Sequence, residues 1–191
     1  MNPLPYSLID CDNHYYEPDD CFSRHIESKF RDRTVWVERE RDDGFGVMKL
    51  GEERLNFFSV GVGDYVGCGV EYQLRKPQHR DIAYPSIRAF NRWVAEDWGW
   101  GGDGRVFSTA MMSLLDVGQA LLELERILKE GCRLVHINTG PIEGRSPADP
   151  HFDPFWARVQ EAGVIVTYHI GSGPFTELYA APWGESANPP S

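Results

Sequence analysis

The chain has 191 residues, 41% of them hydrophobic, and a formal net charge of -10. That apolar content suits one sizeable core, or part of a larger domain, and excludes a disordered chain. The acidic balance, with Lys and Arg scattered, excludes a general nucleic-acid surface. No run reaches membrane-spanning length. The start Met1-Asn2-Pro3-Leu4-Pro5 lacks the charged and apolar regions of a signal peptide.

Ser7 to Asp10 reads as a short buried strand. Pro18 to Phe30 carries Cys21, Phe22, His25, Ile26 and Phe30 at a loosely helical spacing, and the early acids Asp19 and Asp20 suit a helix start. Thr34 to Phe58 alternates apolar and polar residues between turn signals at Asp42-Asp43-Gly44 and Gly51-Glu52. This predicts a small antiparallel meander or hairpin on the rim of the main fold. Val60 to Gly69 is glycine-rich but lacks the G-x-G-x-x-G spacing and the strand-then-helix context of a dinucleotide loop, and reads as a flexible loop.

Pro85 to Trp98 is a predicted helix, with Ile87, Phe90, Val94 and Trp98 near one face and Asn91, Arg92 and Glu96 elsewhere. Val106 to Met112 is an apolar run of strand length. Asp116 caps a helix through Lys129, with Leu121, Leu124 and Leu128 at core spacing and Gly131 as the stop. Arg133 to Ile137 is a strand, Gly140 to Pro150 a loop, and Asp153-Pro154 opens a helix through Ala162 that turns Phe155, Trp156 and Val159 inward. Val164 to His169 is the last strand. Trp93, Trp98 and Trp156 read as packing residues.

From Gly104 onward the order is strand, helix, strand, helix, strand. Short connections and near-continuous apolar strands imply a parallel sheet with covering helices. Such units build a doubly wound sheet or a (β/α)8 barrel, and a complete barrel takes about 250 residues. No helix is expected after His169, so the pattern stops where the next one is due.

Candidate ligands stand at two predicted strand ends. Asp12 and His14 follow the run Ser7-Leu8-Ile9, and His169 closes Val164 to Tyr168. In parallel α/β folds such ends converge on a site. Asp12 and His14, two apart on an extended segment, point the same way. Asp and neutral imidazole are common ligands of a divalent metal. His136, at another strand end, either lines a pocket or is a core or rim residue. Arg145 either pairs with a substrate carboxylate through its planar fork or is a solvated loop residue. Glu17 either orients a ligand or begins the helix with Pro18. His25 and His79 carry no signal, and His151 belongs to a helix entry. Cys11, Cys21, Cys68 and Cys132 show no C-x-x-C spacing and read as reduced thiols of a cytoplasmic protein.

Several motifs carry a family resemblance. Ile9-Asp10-Cys11-Asp12-Asn13-His14-Tyr15-Tyr16-Glu17-Pro18 is similar to a first-strand Asp-x-His motif followed by Glu-Pro. Ala89-Phe90-Asn91-Arg92-Trp93 with Glu96-Asp97-Trp98-Gly99, then Gly144 to Pro150 with Phe152 to Arg158, follow in family order. Tyr168-His169-Ile170-Gly171 is similar to the end of a fifth strand that supplies a metal-binding His. The chain thus resembles amidohydrolase-related metalloenzymes of the aminocarboxymuconate-semialdehyde decarboxylase type.

The resemblance implies a (β/α)8 barrel holding one divalent metal, zinc first and manganese second, with Asp12, His14 and His169 as ligands. It implies hydrolysis or non-oxidative decarboxylation of a small carboxylate-bearing substrate. The family's catalytic His on the sixth strand and metal-binding Asp on the eighth have no counterpart, and a second barrel strand is not found between Phe58 and Gly61. Residues 1–191 therefore read as the amino-terminal part of one partial barrel domain, with 34–58 as a β-hairpin elaboration. The competing expectations are an inactive remnant that serves only for binding or association, and a complete small doubly wound domain. An open sheet edge favours homo-oligomer formation.

Overall fold

The structure is a computed structural model that describes residues 17–39, 46–60, 70, 74, 76–138, 140–168 and 184, with the backbone alone for 56–60. The predicted strand at 7–10, the glycine-rich stretch 61–69, Asp12, His14 and His169 lie outside the described residues.

Two three-stranded sheets form the frame. The first is the predicted meander. Strands β1 (Val35–Glu38), β2 (Gly46–Leu50) and β3 (Glu53–Val60) pair antiparallel in that order, with a register shift between Val47 and Lys49. Alternation drives it: Gly46, Met48 and Leu50 are buried while Val47 and Lys49 are half-buried. Val35, Met48, Leu50 and Leu55 join the core. Arg33 fastens the meander's entry to the following helix by two bonds to Asp81, at 2.6 and 2.8 Å.

The second sheet is the predicted parallel one. It contains β4 (Ala110–Met112), β5 (Leu134–Ile137) and β6 (Ile165–Thr167), in that order and all parallel. Helix α1 (Arg80–Asp97) precedes it, and α2 (Val117–Lys129) and α3 (Asp153–Glu161) connect its strands. Ala110, Met112, Val135 and Ile137 are buried with Leu124, Ile127, Phe155 and Val159 from the connecting helices. This is the α/β pattern that barrels and doubly wound sheets share; among the described residues no closed barrel is present. No helix among them is long and apolar enough to cross a membrane.

Asp116 caps α2 as expected, its carboxylate accepting from the Gln119 N–H at 2.9 Å. Gly131, at φ 98°, supplies the left-handed residue that ends the helix. Asp116→Ala is expected to lower stability by about 1 kcal/mol, read by chemical denaturation.

Five local expectations are corrected. Pro18 to Phe30 is a series of turns followed by a 3-10 helix at Ser28–Arg33, not an α-helix. The Ser23 and Arg24 N–H groups both turn back onto the Asp20 carbonyl, and Glu27 is already extended. Only Cys21, Phe22 and Ile26 are buried there, too little to repay a costly helix nucleus. Glu17 and Pro18 therefore begin no α-helix.

Helix α1 starts at Arg80, not Pro85. A 3-10 turn at Pro77–His79 leads into it, and Pro85 sits buried inside. Proline there removes only one N–H from the second turn, and eleven buried residues of the helix offset that loss.

The run Val106 to Met112 pairs only at Ala110–Met112. Asp103 accepts the N–H groups of Arg105 and Val106 at 2.9 and 3.1 Å, a side-chain turn that competes with strand pairing. Val106 and Phe107 are exposed.

Trp98, expected to pack, is 42% exposed just beyond the end of α1, whereas Trp93 is fully buried. Trp156 is half-buried, and its indole N–H donates to the Pro147 carbonyl at 2.7 Å.

Asn91, expected away from the core face, is fully buried. Its side-chain oxygen accepts the Met111 N–H at 2.8 Å and its amide donates to the Met111 carbonyl at 2.9 Å. The same amide reaches the buried Glu123 carboxylate at 2.8 Å. Arg126 clamps that carboxylate from the other side at 2.9 and 2.7 Å. Because both Met111 backbone groups go to Asn91, the flanking residues carry the ladder to β5, as alternation along a parallel strand requires.

Candidate active-site face

The register of the parallel sheet sets which side chains share a face. Met111, His136 and Thr167 are paired across the three strands, one row from the carboxyl ends. Their neighbours Ala110, Val135, Met112 and Ile137 turn into the core under the helices. The Met111 row therefore lies on the opposite face, which in a barrel is the interior. Met111 is buried, while His136 and Thr167 are half-buried. The Thr167 hydroxyl donates to the Val135 carbonyl at 3.1 Å, holding the last turn of β6 against β5. His169 follows Thr167 by two positions in the sequence.

Among the described residues, two loops leave the carboxyl ends of this sheet. The first, Ser113 to Asp116, joins β4 to α2. The Tyr84 hydroxyl lies 2.8 Å from both the Ser113 and the Asp116 carbonyl oxygens and accepts the Asp116 N–H at 3.1 Å.

The second loop joins β5 to α3 and carries Arg145. Ile142 and Arg145 exchange two backbone bonds of 2.9 Å across a tight turn. Its central residues Glu143 and Gly144 have φ of 49° and 78°. Positive φ at both positions is the type I′ geometry, which glycine adopts freely and Glu does not. Ile142 is buried and anchors the turn, and Asp149 caps the 3-10 turn Pro150–Phe152. His151 sits in that turn, a helix entry as expected. The Arg145 side chain is 54% exposed, with the Asp149 carboxylate 3.8 Å away. Arg145 thus stands on a hydrogen-bonded turn with about half of its side chain open to solvent.

Among the described residues the two cysteines, Cys21 and Cys132, are buried. Burial pushes the Cys21 thiol well above its usual range, with the Glu17 carboxylate adding to the rise, and burial also raises Cys132. Neither is a ready thiolate nucleophile or ligand. His25 and His79 lie beside the Glu96 and Glu53 carboxylates. Among the described residues no group of three or more His, Cys, Asp or Glu side chains is placed to hold a metal ion. The structure thus brings His136 and Thr167 together near the strand ends and mounts Arg145 on a neighbouring loop. It leaves the Asp12, His14 and His169 trio outside what it describes.

Asn91, Glu123, Arg80 and Tyr84 are the buried or bracing polar residues that sequence reasoning did not single out. Asn91 falls four residues after Ile87 and three before Val94, and Glu123 falls three after Ala120 and four before Ile127. A polar residue on an apolar stripe is the signal that was there to read.

Comparison with known proteins agrees with this architecture. The amidohydrolase family model matches residues 9–189. A crystal structure of an amidohydrolase from Mycobacterium avium subsp. paratuberculosis K-10 is similar to this chain, with a TM-score of 0.79 and 28% sequence identity. The match covers 96% of this chain and 63% of that one, so the chain spans less than two thirds of the length of the protein it resembles. No curated protein matches. Members of the family typically bind a divalent metal, and the Asp and His side chains named above are of the right type for one. The chain belongs to the amidohydrolase family.

Proposed function

We propose that this chain supplies the metal-binding part of a hydrolase active site of the aminocarboxymuconate-semialdehyde decarboxylase type, acting on a small carboxylate-bearing substrate. Asp12, His14 and His169 are the ligands, and zinc is the cation, with manganese as the alternative. The observation that carries this reading is the family match over residues 9–189, a span that contains all three donors. The parallel sheet adds support, because β6 ends two residues before His169. A bound divalent ion supplies an activated water or polarises a substrate oxygen.

The other residues orient and enclose. Arg145 offers a planar, permanently charged fork to the substrate carboxylate, with the type I′ turn limiting its motion. His136 lines the face beside Thr167 and meets the substrate there. Carboxylate recognition also suits a carboxy-lyase of the same family. Assaying candidate carboxylates for release of labelled carbon dioxide separates that chemistry from hydrolysis.

Metal content tests the assignment. The purified protein is expected to hold about one zinc or manganese ion per chain. His14→Ala and His169→Ala are each expected to lose most of it. Metal retained at the wild-type level in both variants would overturn the ligand set.

A further inference from the structure

We infer that Arg80 is a positioning residue of the candidate active-site face, coupling its two loops so that the Arg145 guanidinium stands at a fixed place. Arg80 opens helix α1, outside both loops and far from them in sequence. One of its nitrogens pairs with the Glu143 carboxylate at 2.6 Å, in the middle of the Arg145 turn. Another donates to the Leu115 carbonyl at 3.2 Å, in the β4–α2 loop. A single planar fork therefore bridges both segments that leave the carboxyl ends of β4 and β5.

Two features make this a built brace. First, Tyr84 follows Arg80 by four residues, which places it one turn along on the same face of α1. Its hydroxyl donates its one proton toward the Ser113 or Asp116 carbonyl and accepts the Asp116 N–H, so one stripe of one helix holds the first loop beside the Arg80 bond to Leu115. Second, Glu143 is the only residue other than glycine with positive φ among those described. Such a backbone persists when its surroundings hold it, and strain of this kind clusters where geometry matters. The reciprocal Ile142 and Arg145 bonds hold it, and the Arg80 pair, with side chains 55% and 50% exposed, adds a modest restraint. The Glu143 side chain and the Arg145 fork belong to the same four-residue turn, so fixing one fixes the base of the other.

The link to substrate rests on the carboxylate role of Arg145 proposed above; the brace itself does not. Backbone hydrogen exchange on the whole chain reads the brace directly. Arg80→Ala is expected to speed exchange about three- to tenfold at the Ile142 and Arg145 amides, and at Asp116 in the other loop. The Leu124 and Ile127 amides inside α2 are expected to stay unchanged. Arg80→Lys, which keeps the charge without the fork, is expected to fall between. Glu143→Gln is expected to loosen the Arg145 turn and leave Asp116 as it was. Unchanged exchange at Ile142 and Arg145 in Arg80→Ala would overturn the proposal, and so would a rise shared equally by α2.

With a turned-over carboxylate in hand, Arg80→Ala is expected to raise KM about threefold or more and to leave kcat nearly unaltered. A loosened turn combined with an unaltered KM in Arg145→Ala would keep the brace and remove the carboxylate reading.

Discussion

Asn91→Ala is expected to cost about 3–4 kcal/mol of stability, a loss large enough to threaten a domain of ordinary stability. The side chain is fully buried and makes three polar contacts at 2.8 to 2.9 Å. Two of them satisfy the N–H and carbonyl of Met111, itself only 7% exposed. Truncation strands both backbone groups where water reaches poorly, and each such group costs about 1–3 kcal/mol. Glu123 loses a donor at the same time. Asn91→Asp is expected to be at least as harmful. It is nearly isosteric, but it replaces the amide that reaches Glu123 with a second carboxylate facing the first. Denaturant midpoints of the two variants against the parent provide the measurement. A loss below about 1 kcal/mol in both would show that water or backbone movement satisfies Met111 instead.

Asn91 also explains why β4 is short and still well held. A parallel strand alternates its backbone bonds between two neighbours. On the side away from β5, one side-chain amide takes the place of a neighbouring strand for Met111. The edge of β4 is thereby closed by helix α1. The opposite edge, at β6, has Ile165 at 60% and Tyr168 at 51% exposure. Nothing charged stands within Val164 to Tyr168 to discourage pairing.

Periodicity made the main elements legible. The meander was readable because Val35, Val37, Val47 and Leu55 alternate with polar residues between Gly and Asp turns. Helices α2 and α3 were readable because Asp116 and Pro154 mark their starts and Gly131 and Gly163 their ends. The failures have two causes that spacing does not reveal. Asp103 takes the Arg105 and Val106 N–H groups and keeps Val106 out of a strand, while Pro18 to Phe30 buries too few side chains to hold a helix. Asn91 and Glu123 were marked in the sequence only as polar residues on apolar stripes; the contact between the two helices that makes their burial tolerable was not. At the candidate site, residue types and strand ends pointed to Asp12, His14 and His169. Arg145 was readable as a charge on a loop, while the contact of Arg80 with its turn joins residues more than sixty positions apart.

The Glu123 cluster yields the second large effect, through a contrast between two variants. Glu123 is a carboxylate with 0% side-chain exposure, held by Arg126, whose side chain is 22% exposed. Arg126→Ala removes the charge that faces it and leaves only the Asn91 amide. Breaking a buried pair from one side in this way costs about 3–5 kcal/mol. Glu123→Leu removes the buried charge itself. Arg126 then turns toward solvent and keeps Glu130, its exposed partner at 2.6 Å, while Asn91 keeps both bonds to Met111. The leucine adds apolar area between Ala120 and Ile127, which are already fully buried. Its expected cost is about 1–2 kcal/mol, because removing the buried charge is itself close to neutral while one buried Asn91 N–H loses its acceptor. Removing the more exposed partner should therefore do more damage than removing the buried one. Equal losses, or a larger one for Glu123→Leu, would mean that the carboxylate is a net stabiliser of the α1–α2–β4 junction. That outcome would assign the cluster a strength beyond the pairing of charges, carried by the chain of bonds from Met111 through Asn91 to Arg126.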